Sequence, residues 1–115
     1  MFIYSDNKEN FAGLTLWYYR IYCVVTGISS NGRKSIQDIT SMFATHNAII
    51  GYHCDANIMQ VGDFVTGPSG HLSFAWGYTH GFGSGGLTWN GTGFTISGSG
   101  YGSTGVEYVT PNKLN

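Results

Sequence analysis

Charged residues are scarce in this sequence, and one long stretch has none at all. Asp, Glu, Lys and Arg make up 10% of the chain, and none of them occurs between Phe64 and Val106. With five Lys and Arg residues and a formal charge of −1, the chain lacks the clustered cations by which proteins bind nucleic acid. We therefore expect no nucleic-acid partner.

Long apolar runs and a recognisable leader are also missing. No apolar run is long enough to form a transmembrane helix. The segment Met1–Tyr4 is followed closely by acidic and basic residues, so no signal peptide is visible. A secreted or cell-surface location is nevertheless favoured, although the compartment and the oligomeric state stay open. The two cysteines, Cys23 and Cys54, fit either one disulfide or two buried free thiols.

What the chain does contain predicts a single all-β domain over residues 1–115. Aromatic residues make up 16% of it, and runs of aromatic and β-branched residues alternate with Gly, Asn and Pro turns. We expect seven to eight strands in a small antiparallel barrel, because closure removes exposed strand edges. A two-sheet β-sandwich is the alternative. Ser35 and Asp38, followed by apolar residues at helical spacing, predict one short helix over residues 35–45, with a strand as the alternative.

The uncharged stretch contains the clearest strand pattern. From His71 to His80, large apolar side chains alternate with small ones, so that Leu72, Phe74, Trp76 and Tyr78 share one face. The glycine run Gly81–Gly86 then interrupts the strand. We predict a hairpin over residues 71–97, with a six-residue loop and a bulge at Gly91–Gly93 that restores a common apolar face on the return strand.

This hairpin is the predicted ligand-binding element. Aromatic rings beside neutral polar groups bind sugars, and Trp76, Tyr78, Trp89 and Asn90 supply both. An uncharged, alternating hairpin also suits a lipid surface. His71 and His80, at the two ends of the strand, are predicted to make binding sensitive to pH. The competing interpretation places the aromatic face in the core.

Signals for catalysis are weak. The sequence has no metal-binding spacing of the C-x-x-C, H-E-x-x-H or H-x-H type, and the glycine tract lacks the lysine of a phosphate loop. We therefore predict no cofactor and no metal site. A non-catalytic module that binds a glycan or lipid surface is the preferred function. A protein-interaction module, such as an inhibitor or immunity protein, is one alternative. A small hydrolase centred on Asp63, or on a Cys–His pair, is the other.

The segment that begins at Gly81, G-F-G-S-G-G-L-T-W-N-G-T-G-F-T-I-S-G-S-G, resembles the glycine-rich C-terminal strands of the virulence-associated proteins of the VapA type. The resemblance covers about the last third of the chain. It implies a small eight-stranded antiparallel barrel without recognised catalytic residues. It also implies export from a bacterium and action at host endosomal membranes. No site residue can be transferred from it.

Overall fold

The computed structural model describes the backbone of residues 6–11 and 14–114 and the side chains of residues 15–114. The described chain is all-β, which confirms the predicted fold class. Its strands are β1 Asp6–Phe11, β2 Leu14–Ser30, β3 Arg33–Ala48, β4 Tyr52–Val65, β5 His71–Phe82, β6 Gly85–Trp89, β7 Phe94–Gly98 and β8 Tyr101–Val109. A short 3-10 helix, Pro111–Lys113, follows. Within these residues, no helix has the length and apolar character needed to span a membrane.

The strands form three antiparallel sheets. We call β1–β2–β3 the N-terminal sheet, β4–β5–β8 the central sheet and β6–β7 the small hairpin. The prediction of a closed barrel is wrong, because the ladders between the strands that the structure describes do not join into a ring. Among the described residues, one isolated bridge joins the N-terminal sheet to the turn between β4 and β5, where Ile36 and Gly67 exchange N–H···O bonds of 3.1 and 2.8 Å. The N-terminal and central sheets pack on one another across a shared core, which is closer to the two-sheet alternative.

The predicted helix over residues 35–45 is also wrong. That segment lies within β3, which pairs with β2 along its length from Ser30–Arg33 to Trp17–Ala48. The turn between them has positive φ at Asn31 (52°) and Gly32 (77°), as a two-residue hairpin turn requires. This tight turn aligns β3 beside β2, and the hydrogen-bonded ladder outweighs the helical spacing of the apolar residues.

The core lies between the two larger sheets. Alternate side chains of β2 point into it, so every second residue from Trp17 to Val25 is buried. They meet buried side chains from the central sheet, chiefly Leu72 and Phe74 of β5 and Ile58 of β4. Burial of each large apolar side chain contributes about 1.5–3 kcal/mol. Burial of these alternate apolar side chains is the main force that orients the two sheets.

Strand β5 has partners that its sequence did not reveal. It pairs with β4 on one side and with β8 on the other, and it does not pair with β6. The predicted hairpin over residues 71–97 is therefore wrong, although the glycine run after Gly81 does end the strand. A turn composition marks where the chain reverses, but it does not specify which strand becomes the neighbour.

The return segment is itself a hairpin, not one bulged strand. Its turn is stabilised by the side chain of Asn90, whose Oδ1 accepts the backbone N–H of Thr92 (3.0 Å) and of Gly93 (2.8 Å). The change of phase noted in the sequence is thus a turn. The apolar residues on either side of it are direct cross-strand partners, in the pairs Leu87–Ile96 and Trp89–Phe94.

The small hairpin covers the face of β5 that carries small side chains. A Cβ atom at Gly77 would lie 3.2 Å from Phe94 Cβ and 3.3 Å from Leu87 Cδ2. Ala75 and Thr79, on the same face, are completely buried. Small residues therefore alternate along β5 because a second layer packs closely on that face, so the strand is covered on both sides.

Candidate functional site

The aromatic residues predicted to bind a ligand on β5 pack against aromatic residues of β2. The ring of Tyr78 stacks on Tyr19 with centroids 4.3 Å apart, and His80 stacks on Trp17 at 3.7 Å. Trp76 lies beside Tyr78 at 6.3 Å. The three β5 rings are half-buried. Stacking thus occupies one face of Tyr78 and of His80, and these faces are closed to a ligand.

The other two predicted ligand residues lie on the small hairpin. Trp89 is half-buried against Phe94, with ring centroids 4.9 Å apart, and Asn90 is exposed in the turn. Gly77 faces this hairpin, so Trp76 and Tyr78, which have the opposite parity on β5, point to the other side of the central sheet. The four residues are therefore two pairs on opposite faces, not one constellation.

The histidines predicted to sense pH are far apart. His71 begins β5 and His80 lies near its end, so strand rise separates them by about 30 Å. His71 stacks on Tyr108 with centroids 5.6 Å apart, and His80 stacks on Trp17. Each imidazole therefore has a separate aromatic environment, and a joint role for the two stays a prediction.

Neither cysteine of the hydrolase alternative has the lowered thiol pKa of an activated nucleophile. Burial raises the pKa of Cys23 and of Cys54 to about 11, so both thiols remain protonated at neutral pH. Both are free, and Cys54 Sγ donates to the carbonyl oxygen of Tyr18 at 3.1 Å. Asp63 is exposed on β4. Within residues 15–114, no three His, Cys, Asp or Glu side chains are grouped to hold a metal ion.

A cluster that the sequence reading missed lies where three turns meet at one end of the molecule. Large apolar side chains project from it into solvent: Ile50 is fully exposed (101%), Tyr101 is 78% exposed and Phe82 is 74% exposed. Ile49 is 39% exposed, and Tyr52 packs edge-on against Phe82 at 5.4 Å. We call these five residues the apolar end.

Backbone hydrogen bonds hold the three turns together. The N–H of Gly83 donates to the carbonyl of Gly51 at 2.9 Å, joining the β5–β6 turn to the β3–β4 turn. The N–H of Ser99 donates to the carbonyl of Ser84 at 3.1 Å, which adds the β7–β8 turn. The exposed apolar side chains are therefore carried on a braced surface of three adjacent turns.

His53 packs directly beneath these turns. Its ring fills a space bounded by glycine backbone: a Cβ atom at Gly85 would lie 2.5 Å from Nε2, and one at Gly100 would lie 3.0 Å from it. Nδ1 lies 3.2 Å from the carbonyl oxygen of Gly83, and Nε2 is buried without a hydrogen-bond partner among the described residues. Glycine is thus required here because the imidazole occupies the space that side chains would need.

The apolar end is also free of charge. The segments that build it, residues 47–54 and 64–106, contain no Asp, Glu, Lys or Arg. One sequence signal was available, namely that Ile49 and Ile50 directly precede Gly51 at a chain reversal. The exposed position of Ile50 in this turn was not predicted.

The chain matches no known protein family, and comparisons with curated proteins and with solved structures also give no match. The similarity to VapA-type proteins therefore stays a prediction.

Proposed function

We propose that this protein is a non-catalytic binding module that attaches to a lipid surface through the apolar end. The observation that carries the proposal is the complete exposure of Ile50, with the large exposure of Phe82 and Tyr101, at three adjacent turns whose segments are uncharged. Contiguous apolar surface of this kind is typical of interaction sites. A lipid interface is its proposed partner.

The shape and composition of this surface favour lipid over sugar. Its side chains project outward from turns, whereas small ligands are held in concave sites. Ile49 and Ile50 have no polar group to offer a hydroxyl, but they suit the boundary between headgroups and acyl chains. Tyr52 and Tyr101 add phenol rings, which favour the membrane interface because one end is apolar and the other is polar.

The number of apolar side chains sets the expected affinity. Moving one Ile- or Phe-sized side chain out of water releases about 1.5–3 kcal/mol when burial is complete. Three such side chains, inserted in part, give a dissociation constant between about 1 mM and 1 μM. The proposed attachment is therefore reversible for a single copy. Because the surface carries no formal charge, its strength depends little on salt or on anionic lipid.

Sedimentation with phosphatidylcholine vesicles tests the proposal. The wild-type chain is expected to sediment with vesicles at low and at high salt, and the double variant Ile50→Ser, Phe82→Ser is expected to stay in the supernatant. The matched control is Ile28→Ser, because Ile28 is also an exposed isoleucine (53%) but lies on β2 away from the three turns. This control is expected to bind as the wild type does.

Two results would overturn the proposal. One is vesicle binding that survives in the double variant. The other is a chain that ignores vesicles and instead self-associates, or forms a complex with one protein, in a manner that Ile50→Ser abolishes. The second result would assign the same surface to the protein-interaction alternative.

A further inference from the structure

A polar cleft lies at the opposite end of the molecule from the apolar end. Four chain segments line it: the β2–β3 turn with the start of β3, the β4–β5 turn, the end of β8 and the residues that follow β8. Strand β3 begins at Arg33 in the cleft and ends beside Ile49, so its 16 residues separate the two surfaces by about 50 Å. The cleft has a volume of about 600 Å³, which is within the range of sites that hold small molecules.

Positive charge is concentrated at this cleft. Arg33 and Lys34 line it, two of the five Lys and Arg residues in the whole chain, and its lining contains no Asp or Glu. The Lys34 ammonium donates to the carbonyl oxygen of Leu114 at 2.7 Å. The guanidinium of Arg33 is exposed and makes no ion pair with any residue that the structure describes. Its planar donor fork therefore remains available to an oxyanion.

The rest of the lining is neutral and suited to a hydroxylated ring. Tyr108 is 52% exposed and its ring is held by stacking on His71 at 5.6 Å. Ser69, Thr110 and Asn112 add hydroxyl and amide groups, which donate and accept hydrogen bonds. An aromatic ring, neutral hydrogen-bonding groups and one unpaired guanidinium are thus combined in a single cleft.

We propose that this cleft binds an acidic sugar, that is, a saccharide that carries a carboxylate or a phosphate. Arg33 pairs with the oxyanion, Tyr108 packs against the sugar ring, and Ser69, Thr110 and Asn112 contact its hydroxyl groups. This site is separate from the apolar end and does not depend on lipid binding. Failure of one proposal therefore leaves the other standing.

Calorimetric titration at low salt tests the cleft with four probes: glucuronate, glucose 6-phosphate, glucose and inorganic phosphate. The two acidic sugars are expected to bind, and glucose and inorganic phosphate are expected to bind at least about tenfold more weakly. Arg33→Gln is expected to reduce acidic-sugar binding about tenfold or more, and Tyr108→Ala is expected to weaken it as well. Thr88→Ala, at an exposed position on the small hairpin outside both proposed sites, serves as the control and is expected to bind the acidic sugars normally.

Several outcomes would overturn this proposal. If neither acidic sugar gives a heat of binding at high concentration, the cleft is not a binding site for them. If glucose binds as tightly as the acidic sugars, Arg33 does not recognise an oxyanion. If inorganic phosphate binds as tightly as they do, Tyr108 does not recognise a sugar ring. Because Arg33 and Tyr108 are both exposed, their variants are expected to melt near the wild-type temperature, which separates loss of binding from loss of the fold.

Discussion

Removal of the Asp55 carboxylate should loosen the attachment between all three sheets. Asp55 lies on β4 of the central sheet, and its Oδ1 is 3.2 Å from Nε2 of His46 on β3. Its Oδ2 accepts the backbone N–H of Leu87 on β6 at 3.2 Å. One side chain thus contacts the N-terminal sheet, the central sheet and the small hairpin, so Asp55→Ala should destabilise the fold.

The size of the effect follows from the two contacts. A hydrogen bond between a backbone N–H and a carboxylate contributes about 1.5–3 kcal/mol. The contact with His46 contributes at most about 1 kcal/mol, because the two side chains are 43% and 33% exposed. We expect a loss of about 2 kcal/mol in the free energy of unfolding, since water can replace part of each contact. For a chain of this length, that loss lowers the melting temperature by about 8 °C.

Thermal and urea unfolding, followed by circular dichroism, measure this loss. Asp63→Ala is the matched control, since Asp63 is an exposed carboxylate on the same strand, and its melting temperature should stay close to that of the wild type. His46→Ala should lose no more than about half of what Asp55→Ala loses. The reasoning is refuted if Asp55→Ala and Asp63→Ala have the same melting temperature. It is also refuted if His46→Ala destabilises the protein as much as Asp55→Ala does.

Two further predictions concern the buried cysteines and the close approach of strands at Gly102. Cys23 and Cys54 should react slowly with a thiol reagent until the protein is unfolded. Because the pKa of both thiols in the folded protein is about 11, above the ordinary value of 9.0, the free energy of unfolding should fall as the pH rises from 9.0 to about 11. In Cys54→Ala, the slope of the free energy of unfolding against pH should be less steep over this range. Equal slopes in both proteins would contradict this. Gly102→Ala should lower the melting temperature, because its Cβ would clash with the backbone carbonyl of Tyr78, whereas Gly93→Ala, with open space around it, should not. A similar melting temperature for both variants would show that the β5–β8 pairing is looser than described.

The fold class could be predicted from sequence because strand composition is a local property. The aromatic and β-branched residues of β2 are typical of a strand and Asn31-Gly32 is typical of a turn, and the structure has both. The segment at residues 35–45 was assigned wrongly because cap residues and apolar spacing are weak beside sixteen residues of ladder. Pairing partners were the other failure. The glycines after Gly81 mark a reversal correctly, but which strands lie beside β5 depends on contacts distant in the sequence.

The candidate surface was beyond sequence reasoning for the same reason. Ile50, Phe82 and Tyr101 are far apart in the chain and lie in or next to three separate turns, which only the topology brings together. The absence of charge in that region was visible beforehand, and it remains the feature that the apolar end shares with the predicted hairpin. Trp76 and Trp89 were predicted to bind a ligand because aromatic residues often do, yet both are half-buried.

Fluorescence from a probe at position 50 tests the central claim most directly. An environment-sensitive dye is attached to Ile50→Cys, and separately to Ile28→Cys as the control, while the buried native thiols stay unlabelled under native conditions. On addition of phosphatidylcholine vesicles, the dye at position 50 should shift to the blue and that at position 28 should not. A blue shift at neither position, or an equal shift at both, would contradict attachment through the apolar end.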